Sequence, residues 1–145
     1  MKIGVPKETK NHEHRVGLTP GAVRELIAHH HSVVVETGAG LGIGANDGDY
    51  EQAGATIAAN ASKVFEIAEM IVKVKEPVAD ERTLLRPHHL LVTYLHLAAA
   101  PDLAADILAS GATAIAYETV TAPGGGLPLL APMSEVAGRM SIQIG

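Results

Sequence analysis

Cysteine and tryptophan are both absent from this 145-residue chain, and its aromatics amount to one phenylalanine and three tyrosines. Without cysteine there can be no disulfide and no thiolate nucleophile, and the chain suits a reducing compartment. With so few aromatics, the core must be built from Ala, Val, Ile and Leu. Basic charge is also scarce: 11 Lys and Arg against 16 Asp and Glu leave a net charge of −5. That balance argues against a nucleic-acid partner, which needs a basic patch. No apolar run reaches membrane length, since the stretch Leu90–Ala100 carries His96 and stops at Pro101. The opening Met1–Lys7 has no apolar segment of signal-peptide size. A soluble, cytoplasmic protein is expected. Its length suits one domain able to bury roughly 68–70% of its unfolded surface.

Short aliphatic runs alternate with helix-like segments, the pattern of βαβ units and a mostly parallel sheet flanked by helices. Strands are expected at Lys2–Pro6, Val33–Glu36, Thr56–Ala58, Met70–Val74, Leu90–Tyr94 and Thr113–Ala116. Thr19-Pro20 reads as a helix N-cap followed by proline at the first helical position. Further helices are expected over Asp47–Ala53, from a Ser62 cap through Ile67, over Asp80–Leu85, and from Pro101 to a stop at Gly111. Ser134 is read as the cap of a last helix whose Val136, Met140 and Ile144 share one face. That helix shows no C-cap signal, so the chain is expected to be cut inside an element.

Two strand ends carry ionisable side chains. Lys73-Val74-Lys75-Glu76-Pro77 follows one apolar run, and Thr93-Tyr94-Leu95-His96-Leu97-Ala98 ends another. Ligands of open α/β sheets bind at the carboxyl ends of strands. Arg15, Lys75 and His96 together suit a small keto or amino acid, the cations holding its carboxylate and the imidazole moving protons. Each also has a plainer explanation. Arg15 could be a surface charge, Lys75 an edge lysine with a buried stem, and His96 a hydrogen-bonded core residue.

Other motifs carry less. Gly38-Ala39-Gly40-Leu41-Gly42-Ile43-Gly44-Ala45 has glycine-fingerprint spacing from Gly40, but Asn46-Asp47-Gly48 interrupts it and position 60 is not acidic. A flexible surface loop is expected there. The groups His12/His14, His29-His30-His31 and His88-His89 lack a carboxylate or thiolate at ligand spacing. They read as a solvated helix end and loops, and no metal site is expected.

The sequence closely resembles the amino-terminal part of the alanine dehydrogenases, a group related to the proton-translocating transhydrogenases. The matching segments are Ile3–Glu8, Asn11–Val16, Val72–Pro77, Tyr94–Ala99, Ala116–Thr119 and Leu129–Arg139. The resemblance implies a Rossmann-like or flavodoxin-like substrate domain over residues 1–133, incomplete relative to the family. Residues 134–145 would begin an interdomain helix leading to an absent NAD-binding domain. It further implies reversible, NAD-dependent oxidative deamination of L-alanine to pyruvate and ammonia, and a hexamer. Arg15 and Lys75 match the residues that hold substrate, His96 the acid/base, and Ser134 a nucleotide contact. Tyr94 and Met133 are expected to shape the pocket around the methyl group. Transhydrogenase relatives lack the His96 motif and the Lys-Glu-Pro ending.

Arg15, Lys75 and His96 are therefore expected to meet in one cleft sized for a three-carbon acid. Two departures from the family stand out. His30 occupies the position where a glycine usually closes the first helix, so a different cap or a weaker helix end is expected. The domain carrying the glycine-rich loop and a catalytic aspartate is missing, so the chain alone is expected to be inactive. The competing possibilities are a non-catalytic module that binds pyruvate or alanine, a transhydrogenase-like subunit, and a remnant that self-associates through exposed aliphatic surface.

Overall fold

The computed structural model describes residues 1–144. Six strands, β1 (Lys2–Val5), β2 (Ser32–Glu36), β3 (Thr56–Ala58), β4 (Met70–Val72), β5 (Leu90–Thr93) and β6 (Thr113–Ala116), form one sheet in the order β3-β2-β1-β4-β5-β6. Every pairing is parallel. The helices are α1 (Pro20–Ala28), α2 (Asp47–Gln52), α3 (Ala61–Ile67), α4 (Ala79–Arg82), α5 (Pro101–Ser110) and α6 (Ala131–Ile144). The order of strands reverses at β1, between β2 and β4, and that is where an open α/β sheet leaves a crevice.

Strand alternation explains the two cores. Ile3, Val5, Val33 and Val35 point to one face and join Val23 of α1 and Tyr50 of α2. Val34, Ile71 and Leu91 point to the other and join Val64 and Phe65 of α3 with Leu103 and Ile107 of α5. A period of two, covered on both faces, yields the near-continuous aliphatic strands seen in the sequence. Gly4 is required by this packing: a Cβ there would lie 2.7 Å from both Ala68 Cβ and Val64 Cγ1. Helix α3 thus sits directly on β1.

Several local expectations are corrected. The cap of α3 is Asn60, whose side chain accepts the Lys63 amide at 3.0 Å, and Ser62 lies within the helix. Ser134 is likewise inside α6, its amide bonded to the Leu130 carbonyl at 3.1 Å. The strand after α3 ends at Val72, although the Lys73 amide still donates to the Val92 carbonyl and the Val74 carbonyl still accepts the Tyr94 amide. Helix α4 is displaced to Ala79–Arg82, stopping before Leu84 and Leu85.

The end of α1 keeps the glycine-type geometry without glycine. His30 has φ 63°, its amide reaches the Ile27 carbonyl, and the His31 amide reaches that of Leu26. That is the paired closure of a Schellman motif. The expectation of a different cap fails, because two satisfied carbonyls offset a left-handed cost of roughly 1–2 kcal/mol. The segment around Gly38–Gly44 is a surface loop, but a packed one. A Cβ on Gly42 would come within 2.2 Å of the His14 carbonyl oxygen. His89 is buried rather than solvated, with Nε2 2.9 Å from the Phe65 carbonyl and Nδ1 accepting the Arg86 amide at 3.0 Å. Burial disfavours its charged form.

Candidate functional site

The site grows from segments that leave the carboxyl ends of β1, β4, β5 and β6. A cleft of about 380 Å³ opens there, lined by Arg15, Lys73, Tyr94, Tyr117, Leu129 and Met133 among others. Its walls are mostly apolar side chains with few charges, the composition of a small-molecule site. The Tyr94 hydroxyl donates to the Leu129 carbonyl at 2.6 Å, tying the long loop after β6 across the cleft. Tyr117 packs edge-on against Tyr94, and burial pushes its hydroxyl up to about 12.

Arg15 is not a free surface charge. Its Nε donates to Glu13 Oε1 at 2.8 Å and its Nη2 to Glu13 Oε2 at 2.6 Å, a bidentate fork. The Nη1 end faces Met133 Sδ at 3.6 Å, inside the cleft. A ligand carboxylate therefore has Nη1 to meet, or must displace Glu13. The Arg15 side-chain hydrogen bond holds the Glu13 carboxyl down at about 2, against burial that raises it.

A pH dependence follows from that shift. The folded-state value lies below the unfolded one, so the pair's stabilisation is complete above about pH 4.5 and is lost as pH falls toward 2. A carboxyl-carbon NMR titration should place the Glu13 midpoint near 2 in the parent, with a return toward 4.5 in Arg15→Met. A parent midpoint already at 4.5 would mean the fork is absent in solution.

Beneath the cleft lies a buried ionic triad. Lys73 is 1% exposed, with its Nζ 2.9 Å from Glu81 Oε1 and 3.3 Å from Glu8 Oε2. Glu8 also accepts the Val74 amide at 2.7 Å and, more weakly, the Lys75 amide at 3.4 Å. Glu81 Oε2 accepts the Val78 amide at 2.8 Å. The chain from Val74 to Val78 is thereby hung from two buried carboxylates. None of this was visible as a motif.

His96 stands at a bend with φ 50° and ψ 39°, in the left-handed region. Glu118 Oε1 takes the His96 amide at 2.7 Å and the Leu95 amide at 3.0 Å. Burial opposes ionisation of Glu118, yet these amides hold its carboxyl below the usual range. The imidazole is largely exposed; its Nδ1 lies 3.9 Å from Glu76 Oε2, and its ring stacks on Tyr94 with centroids 6.1 Å apart. Glu76 Oε1 is bonded to the Lys10 ammonium. Burial raises the Glu76 carboxyl, but the Lys10 hydrogen bond and the nearby His96 prevail and lower it. Glu76 is therefore ionised at neutral pH.

The sequence-predicted residues are placed as follows. Arg15, Tyr94 and Met133 line the main cleft. His96 lines an adjoining, strongly apolar depression with Leu97, Ala98, Ala99, Ala116, Glu118 and Thr119. Tyr94 connects the two, lining one and stacking on His96 in the other. Lys75 lines neither, is partly buried, and lies close enough to help lower Glu13. Ser134 is exposed on α6 and lines neither depression. The guanidinium, the ammonium and the imidazole are thus neighbours at one edge of the sheet, and of the three only Arg15 reaches into the main cleft. Glu8, Glu13, Glu76, Glu81 and Glu118, which shape this edge, were missed because carboxylates scattered over the chain give no local signal.

The fold and this edge are those of an α/β domain with an apolar cleft, bordered by a guanidinium, at the carboxyl ends of its parallel strands. Residues 4–137 match the family model "Alanine dehydrogenase/PNT, N-terminal domain", and the chain belongs to that family. All 145 residues align at 58% identity with an alanine dehydrogenase of Halomonas elongata, and at 59% with one of Bacillus subtilis. The chain spans 39% and 38% of those proteins' lengths. A solved L-alanine dehydrogenase superposes with a TM-score of 0.96 at 54% identity, covering the whole chain and 40% of the other. A transhydrogenase from Sinorhizobium meliloti gives 0.77 at 30% identity, covering 81% of this chain and 35% of its own. Among the described residues no helix is long and apolar enough to cross a membrane.

Proposed function

We propose that this chain is the substrate-binding part of an NAD-dependent L-alanine dehydrogenase, which interconverts L-alanine with pyruvate and ammonia in the cytoplasm as a hexamer. The observation that carries the reading is the Arg15 Nη1 facing a cleft of about 380 Å³ walled by Tyr94 and Met133. A guanidinium edge beside a small apolar pocket suits a carboxylate with a methyl group behind it. Lys75, two residues from the buried triad, is assigned to the keto oxygen. His96 is assigned the proton exchange that the carbinolamine and iminium stages demand, a task fitted to imidazole.

NAD supplies the hydride acceptor. In this chain Ser134, on α6, is the residue assigned to touch it, and the segment from Ser134 onward would begin the connection to a nucleotide-binding domain. The test is a chimaera in which this chain replaces the corresponding part of the Bacillus subtilis protein. It should reduce NAD with L-alanine, whereas the 145-residue chain alone gives no alanine-dependent NADH. A folded chimaera that binds pyruvate yet never turns over would favour the non-catalytic binding module instead.

A further inference from the structure

The surroundings of His96 hold one group with no task assigned so far. Glu118 fixes the backbone of this residue, accepting its amide and that of Leu95, so a left-handed bend that L-residues rarely take is held in place. With the backbone set, the side chain faces Glu76. The Glu76 Oε1 is occupied by Lys10. Its Oε2 is buried and has no hydrogen-bond partner among the described residues.

A buried carboxylate oxygen without a donor is costly, and structures normally satisfy it. The imidazole Nδ1 stands 3.9 Å away, about an ångström beyond hydrogen-bond length. A modest rotation of an exposed His96 side chain closes that gap. The Tyr94 ring stacks on the imidazole, with centroids 6.1 Å apart.

We propose that Glu76 is a positioning residue for His96: its unpartnered Oε2 receives the imidazole Nδ1–H, which leaves Nε2 as the nitrogen turned toward substrate. A carboxylate on one ring nitrogen selects the tautomer and orientation of the other. Lys10 acts from the far side of Glu76, neutralising part of the charge that the imidazole meets. The role in turnover rests on the reading of His96 as the proton carrier given above; the pairing itself does not. The charged and titratable groups facing the imidazole come from four segments: Lys10 through Glu76, Glu76 with the neighbouring Lys75, Tyr94, and Glu118.

Histidine NMR on this chain tests the pairing directly, the His96 signal being the one lost in His96→Asn. The parent should show the Nδ1–H tautomer. Glu76→Gln removes the anion and should move the His96 titration midpoint down by about half a pH unit. Lys10→Met uncovers the same anion and should move it up, while Glu76→Asp, which keeps the charge, should leave it close to the parent. Unmoved midpoints, Glu76→Gln and Lys10→Met shifting in the same direction, or an Nε2–H tautomer in the parent would each overturn the proposal, since the opposed shifts report the nearby charges and the Nδ1–H tautomer reports the hydrogen bond. In the two-domain chimaera, the acid limb of kcat/KM for alanine should follow the same two signs. An inactive chimaera with the NMR signs intact defeats only the alanine reading; a working one with unmoved midpoints defeats only this inference.

Discussion

Replacing His96 with asparagine in the two-domain chimaera is expected to cut the maximal rate of alanine oxidation by roughly 10²–10⁴-fold, the range that one positioned acid/base supplies. Asparagine is the informative substitution because position 96 is left-handed, at φ 50°. Alanine there would add a backbone cost of about 1–2 kcal/mol, which asparagine tolerates better. Substrate affinity should change little, because the carboxylate contact is assigned to Arg15 in the adjoining cleft. Arg15→Ala should show the other pattern, with KM for pyruvate raised along with a loss in kcat/KM. Steady-state kinetics of the two variants separate the roles. A His96→Asn protein with near-parental kcat would remove the imidazole from the reaction.

The second large effect is on stability. Lys73→Met is expected to cost about 3–5 kcal/mol, because it strands two carboxylates in the interior with no cation between them. Glu8 and Glu81 are each less than a tenth exposed, and the Lys73 ammonium stands within 3.3 Å of both. A loss of that size is a large fraction of the 5–15 kcal/mol typical of a domain. Urea unfolding measures it. The triple variant Glu8→Gln, Lys73→Met, Glu81→Gln should recover much of the loss, since no net charge is then buried and both side-chain oxygens still accept their backbone amides. A single variant losing under about 1 kcal/mol would mean that water reaches the triad in solution.

The legible and illegible parts of this molecule divide along physical lines. The strands could be read because both faces of a parallel sheet are covered, so runs such as Val33–Val35 are aliphatic without a polar break. Thr19 with Pro20, and Gly111 after Ser110, could be read because capping chemistry is local. Asn60 was passed over for Ser62 because either residue type can cap, and the choice depends on where α3 meets β1. The site was legible in its cations and opaque in its carboxylates. Lys75 and His96 follow recognisable strand ends and Arg15 sits in a segment that carries the family resemblance, whereas Glu8 meets Val74 across 66 positions, and Glu118 meets His96 across 22. His30 misled in a different way. The cost of its left-handed backbone was judged correctly, but the two carbonyls satisfied by the turn were invisible from composition.

The position of β1 in the middle of the sheet has a consequence in time. Ile3 and Gly4 pair with Val33 and Val34 on one side and with Met70 and Ile71 on the other. A ribosome adding about 5–20 residues per second must work for several seconds between making β1 and its second neighbour β4. Through that interval one flank of β1 is an open edge, and the nascent protein is exposed to sticking until Met70 and Ile71 emerge.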